Sequence, residues 1–177
     1  MAIYLKKAIG FDVSEVKTEG EAGVFKGYAS KFNGNDSYGD TILPGAYAEA
    51  IQSVQKLPIF LNHATEEVPI GVYSLIKEDE KGLYVEGTLT LGIQKARDVL
   101  EAIKAGSLNG LSVGIFLKKN DYELKDPDDI WSGRVIRKVS GLREISVCTY
   151  PADDRARIHA VKTEPGAKTV RDLEEML

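Results

Sequence analysis

Apolar and polar positions recur along this chain with two different periods, and each change of period marks the edge of an element. Residues 24–32 (VFKGYASKF) alternate as a strand and run into NGNDSYGD, whose Asn, Gly, Asp and Ser residues suit turn conformations. Tyr47, Ala50, Ile51 and Val54 then repeat at i, i+3, i+4 and i+7, which predicts a short helix reaching about Lys56 with Pro44 in its first turn. Val68, Ile70, Val72 and Ile76 fall on one face of a strand. After the polar turn KEDEKG, Leu83, Val85, Leu89 and Leu91 do the same, so the two segments predict an antiparallel hairpin with one face in the core. Helical spacing returns over Gln94 to Ala105, with Ala96, Val99, Leu100 and Ile103 on one side and Gly106 placed as a C-terminal cap.

From Gly110 the period is again that of strands, in LSVGIFL, RVIRKV and LREISVCTY. Between the first two lies KKNDYELKDPDDIWSG, a polar excursion that predicts a surface loop bearing Pro127 and Trp131. The pattern fades after Pro151. One domain is therefore expected over residues 1–161, a linker over 162–168, and the start of a C-terminal helix over 169–177. There Thr169 can cap the Asp172 N–H, and Val170, Leu173, Met176 and Leu177 share a face. The elements predict a mainly β protein of the α+β class.

Composition narrows the picture by exclusion. With 177 residues, 43% hydrophobic and 28% charged, the chain can bury a sizeable core as one domain with short appendages. Its 27 acidic and 23 basic residues leave a net charge of −4 with no long basic run, so nucleic acid is not an expected partner. No stretch approaches the roughly 20 apolar residues that cross a bilayer, and MAIYLKKAIGFDV lacks the features of a signal peptide. The chain is expected to fold in a cytoplasm without a membrane partner. One cysteine and two histidines, with no metal-ligand spacing, predict no disulfide, no structural metal and no cofactor.

Three polar residues interrupt apolar stretches: His63 in LPIFLNHATEEVPIG, Ser112 in NGLSVGI and Glu144 in LREISVCTYP. A half-buried polar group needs a partner to offset desolvation, and these three types are the parts of a hydroxyl nucleophile activated by an oriented base. Each also has a plainer reading. His63 alone fits a structural histidine, with His159 as the rival base. Ser112, between Gly110 and Gly114, fits a strand serine bonded to backbone, with Ser107 and Ser146 as rival nucleophiles. Glu144 shares a strand face with Leu142, Ser146 and Cys148, at a sheet edge or against a buried donor. Cys148 reads as a small core hydrophobe.

The succession GYASKFNGNDSYGDTILPGAYAEAI, LPIFLNHATEEVPIGV, GLYVEGTLTL, KAGSLNGLSVGI and LREISVCTYPAD resembles, in order and spacing, the tailed-bacteriophage prohead (capsid maturation) protease family. The resemblance covers about residues 24–155. It implies a compact antiparallel β-barrel surrounded by a few helices, as in the related herpesvirus protease assemblin. It also implies a serine endopeptidase whose nucleophile is Ser112, whose base is His63 and whose orienting acid is Glu144. Family members often carry Asp after the histidine, where this chain has Ala64. By analogy with the arginine-bearing loop of assemblin, Arg155 and Arg157 are candidates for the oxyanion site. The implied substrate is the major capsid protein or its scaffold segment, cut inside the assembling procapsid in the host cytoplasm. Self-cleavage and a homo-oligomeric state are expected with it. A non-catalytic assembly or scaffolding protein on the same fold is the alternative, and a small β-barrel binding module would account for the strands alone.

Overall fold

The computed structural model describes residues 3–9, 15–19 and 22–150, with side chains from residue 23 onward. In chain order the elements are β1 (Ile3–Ile9), β2 (Glu15–Glu19), β3 (Ala22–Lys31), β4 (Thr41–Ile42), α1 (Ala48–Gln52), β5 (Pro58–Leu61) and β6 (Gly71–Glu78). They continue with β7 (Gly82–Leu89), α2 (Gln94–Lys104), β8 (Gly110–Leu117), β9 (Tyr122–Asp126), β10 (Asp129–Ile136) and β11 (Gly141–Cys148). The protein is mainly β. The eight-stranded sheet runs β1-β8-β11-β5-β6-β7-β3-β2, and a three-stranded sheet runs β4-β10-β9. All pairs of the larger sheet are antiparallel except β5 with β11, which is parallel. The larger sheet curls into a half-barrel that brings β3 against β8.

The curl decides where the core lies. β8 is buried on both faces apart from a half-buried Phe116, because β1 and β11 flank it and the curled sheet closes over it. Phe25, Ile59, Leu83, Val85, Leu111, Val113, Ile115 and Ile145 fill the interior, and α2 covers it with Ala96, Val99, Leu100 and Ile103. That helix matches its predicted stripe, and Gly106 follows it with φ of 72°, the left-handed conformation in which the absence of Cβ removes the steric cost.

Three expectations are corrected. The helix predicted from Pro44 to Lys56 is the five-residue α1, preceded by a turn. The Glu78 carboxylate accepts from the backbone N–H groups of Gly45 and Tyr47, so this turn is held by a side chain from β6. In β6 itself the predicted face of Val68, Ile70, Val72 and Ile76 does not form. Val68 precedes the strand and is exposed, Val72 points outward, and Tyr73 takes the inward position, edge-on to Phe25 at 6.0 Å between ring centroids. A register shift between Tyr73 and Leu75 changes the phase of the strand, which returns Ile76 to a half-buried position. The polar excursion is a hairpin, β9–β10, where a loop was expected. It carries Ile130 and Trp131 into solvent and pairs in parallel with β4. The linker and C-terminal helix expected over 162–177 lie outside the described residues.

Candidate active site

Three adjacent strands of the large sheet, in the order β8-β11-β5, bring His63, Ser112 and Glu144 together. Ser112 is fully buried on β8, directly opposite Ser146 of β11, and Glu144 is opposite Gly114. Ser112 and Gly114 share a face by the twofold period of a strand, and Gly114 has no side chain to compete there with the Glu144 carboxylate. The β8–β11 register shifts between Leu142 and Glu144, leaving Arg143 exposed and Glu144 turned inward. Such bulges re-aim side chains.

His63 sits two residues beyond the end of β5. Asn62 (φ 51°) and His63 (φ 61°) are consecutive left-handed residues, a conformation that Asn and His adopt more readily than most side chains. The turn is tied down at several points. Asn62 N–H donates to Val147 O at 2.9 Å, Asn62 Oδ1 accepts from Thr149 N–H at 3.3 Å, and Thr65 N–H donates to His63 O at 2.8 Å. The reversal directs the imidazole back over β11 and β8.

His63 Nδ1 lies 2.6 Å from Glu144 Oε1, and its Nε2 lies 2.5 Å from Ser112 Oγ. A carboxylate oxygen accepts, so the geometry fits the tautomer in which Nδ1–H donates to Glu144 Oε1 and Nε2 faces the hydroxyl of Ser112. Glu144 is fully buried, while the His63 side chain keeps 12% of its surface in solvent. A buried carboxylate is costly without donors, and this one accepts from the His63 ring at Oε1 and from Ser146 Oγ–H at Oε2, 2.7 Å away. Ser146 Oγ also accepts the backbone N–H of His63 at 3.2 Å.

The surroundings are apolar and raise the neighbouring acids. Burial first, and then the charge of Glu144, push the Cys148 thiol up to about 12, against a smaller opposing contribution from the Ser112 hydroxyl. The Tyr73 phenol is raised for the same two leading reasons, and its hydroxyl lies 3.4 Å from Ile145 O. Cys148 is buried and protonated near neutrality, which leaves Ser112 as the hydroxyl or thiol that faces a base. Ser107, the other rival, bonds to Ala102 O at the end of α2. His159, Arg155 and Arg157 lie outside the described residues. Among the described residues no group of three His, Cys, Asp or Glu side chains could hold a metal ion, and no helix is long and apolar enough to cross a membrane.

Beside the His63 turn, a cavity of about 450 Å³ opens between α2 and the ends of β5 and β11. Leu61, Val99, Ala102 and Leu108 form its apolar lining, with Asp98 and Thr149 among its polar groups. The bridging position of Ser146 and the left-handed Asn62 were not singled out from the sequence, although each leaves a trace in it: Ser146 shares the Glu144 face two residues on, and Asn before His is a turn-forming pair.

The chain can be set beside known proteins on this geometry. A family model described as the caudovirus prohead serine protease matches residues 10–170. The prohead protease of Enterobacteria phage HK97 is 45% identical over 174 residues, which span 97% of this chain and 75% of that protein. The solved bacteriophage T4 capsid assembly protease superposes with a TM-score of 0.62 over 85% of this chain and 99% of its own, at 10% identity. At that identity the likeness is one of fold.

Proposed function

The chain belongs to the caudovirus prohead serine protease family, and from that premise we propose that it cleaves scaffold segments of a capsid or scaffold protein through a Ser112–His63–Glu144 triad. The observation that carries the residue assignment is that one imidazole lies in hydrogen-bond contact with both Ser112 Oγ, at Nε2, and Glu144 Oε1, at Nδ1. Ser112 Oγ attacks the scissile carbonyl as His63 Nε2 takes its proton. The tetrahedral intermediate then collapses, the C–N bond breaks, and the same proton passes from Nε2 to the leaving amine. Water, deprotonated by His63 in turn, releases the acyl group and restores Ser112. Glu144 keeps the proton on Nδ1 and stabilises the imidazolium that forms between the two transfers.

The cavity beside the His63 turn is the proposed entry for the substrate backbone, since Asn62, the residue before His63, lines it and its apolar walls can take a substrate side chain. Action inside the assembling procapsid, self-cleavage and assembly of several copies are part of the same proposal. The complete His63, Ser112 and Glu144 set, with hydrogen bonds among its members, favours turnover over a non-catalytic scaffolding role on this fold.

Coexpression with the cognate capsid precursor tests the assignment. Ser112→Ala and His63→Ala should each remove nearly all processing, on the order of 10⁶-fold as in comparable serine proteases, while Glu144→Gln leaves a measurable residue. Processing by Ser112→Ala at the native rate would end the nucleophile assignment. Identical chain termini in the native and Ser112→Ala proteins, read by mass spectrometry, would reject self-cleavage.

A further inference from the structure

We infer that Ser146 is a positioning residue of this site, whose hydroxyl fixes the Glu144 carboxylate and the His63 backbone relative to one another. The inference rests on the triad reading above and extends it to a fourth side chain.

A serine in the middle of a strand ordinarily bonds to nearby backbone. Ser146 instead joins two groups of the site that are far apart in sequence. Its one proton goes to Glu144 Oε2 at 2.7 Å, and its oxygen accepts from His63 N–H at 3.2 Å. Both ends of the His63–Glu144 interaction are thereby held by one atom: the carboxylate through its second oxygen, and the imidazole through the backbone that carries it. Ser146 is fully buried and lies opposite Ser112 in the β8–β11 register, so its position is set by the two strands that set the nucleophile.

Both groups held by Ser146 need holding. A Glu carboxylate rotates broadly about its last torsion, and with Oε2 anchored Oε1 is directed at Nδ1. His63 is a non-glycine residue at φ of 61°, a strained conformation that persists only where its surroundings enforce it. The same bonds exclude Ser146 as the nucleophile, because its proton is directed at the carboxylate and Nε2 of the imidazole is turned to Ser112.

The role is read with a fluorophosphonate probe, which needs no knowledge of the natural substrate. Ser112 Oγ bonds to phosphorus, fluoride leaves, and His63 accepts the hydroxyl proton. Ser146→Ala, and the nearly isosteric Ser146→Cys with its weak S–H donor, should each slow this labelling about 10- to 100-fold, the loss expected for a hydrogen bond to a charged group. Proton NMR of the same variants should show the low-field His63 Nδ1–H resonance shifted or broadened while the amide signals of β5, β8 and β11 stay in place. A native labelling rate with an unmoved resonance, in either folded variant, would overturn the role. Loss of the native amide spectrum in both variants would make Ser146 a folding determinant and reject it as a positioning residue. Labelling of Ser112→Ala at the native rate would instead sink the triad reading itself, whatever Ser146 does.

Discussion

Among single residues, Ser112 and Cys148 differ in the environment that a nucleophile needs. A thiol is intrinsically the better one, yet reactivity requires the thiolate, and burial together with the Glu144 charge pushes Cys148 up to about 12. Ser112 lies on the same side of the sheet but faces His63 Nε2, so it has a base and Cys148 does not. Native protein at pH 8 should therefore react negligibly with a disulfide reagent such as dithionitrobenzoate and release one equivalent of thiol only after unfolding, Cys148 being the sole cysteine. Equal rates in the folded and unfolded states would show that the thiol is accessible and ionised. The buried Glu144 is tolerable for the complementary reason, since its oxygens accept from the His63 ring and from Ser146.

Among elements, the two sheets separate function from framework. The β4-β10-β9 sheet meets the loop before β4 at an unusually close approach: Gly133 has φ of 86°, and a Cβ built on it would stand 2.2 Å from Gly39 O. Neither the torsion nor the space admits a side chain, so Gly133→Ala should cost about 2 kcal/mol or more. In a chain of this size that lowers Tm by roughly 5 °C. Ser112 labelling at 25 °C should persist, because the proposed triad lies in the other sheet, and an unchanged Tm would mean that the contact between the two glycines is not structural. The same hairpin was illegible in the sequence. KKNDYELKDPDDIWSG has no apolar face to read, because much of β9 and the start of β10 stand in solvent, and its strands are held by backbone pairing and by Asp40 Oδ1, which accepts from Arg134 N–H at 2.6 Å. By contrast α2 was legible to within a residue, since a 3.6-residue stripe and a terminal glycine are both local signals. The β6 face was misread because Ile70, just before the strand, and Tyr73 within it both point inward, a change of phase at the start of the strand that places Val72 outside and leaves no mark in the alternation. His63, Ser112 and Glu144 stood out as polar breaks in apolar runs, and the family resemblance assigned them roles. The bridging role of Ser146 depends on the register between β8 and β11 and on the turn after β5, both of which are tertiary.

For the molecule as a whole, the site is distributed over three neighbouring strands of the sheet and cannot exist apart from it. Ser112 stands on β8, Glu144 on β11 and His63 just past β5, and these strands are neighbours in space only through non-local pairings, one of which is parallel. No single hairpin or helix carries two members of the set, so no locally folded fragment can align the imidazole with the hydroxyl. Loss of the site and loss of the sheet should then be one event. In a urea titration, fluorophosphonate labelling of Ser112 and far-UV circular dichroism should fall with coincident midpoints, the signature of a cooperative transition. Emission from Trp131 is a poor substitute probe, because the residue is 84% exposed on the β9–β10 hairpin in the native fold and changes environment little on unfolding. Labelling lost at clearly lower urea than ellipticity would identify the Asn62–His63 turn as a separately opening unit. That would contradict the cooperative account, since the turn is bonded to β11 through Val147 O and Ser146 Oγ and would have to release both bonds while the sheet remained intact.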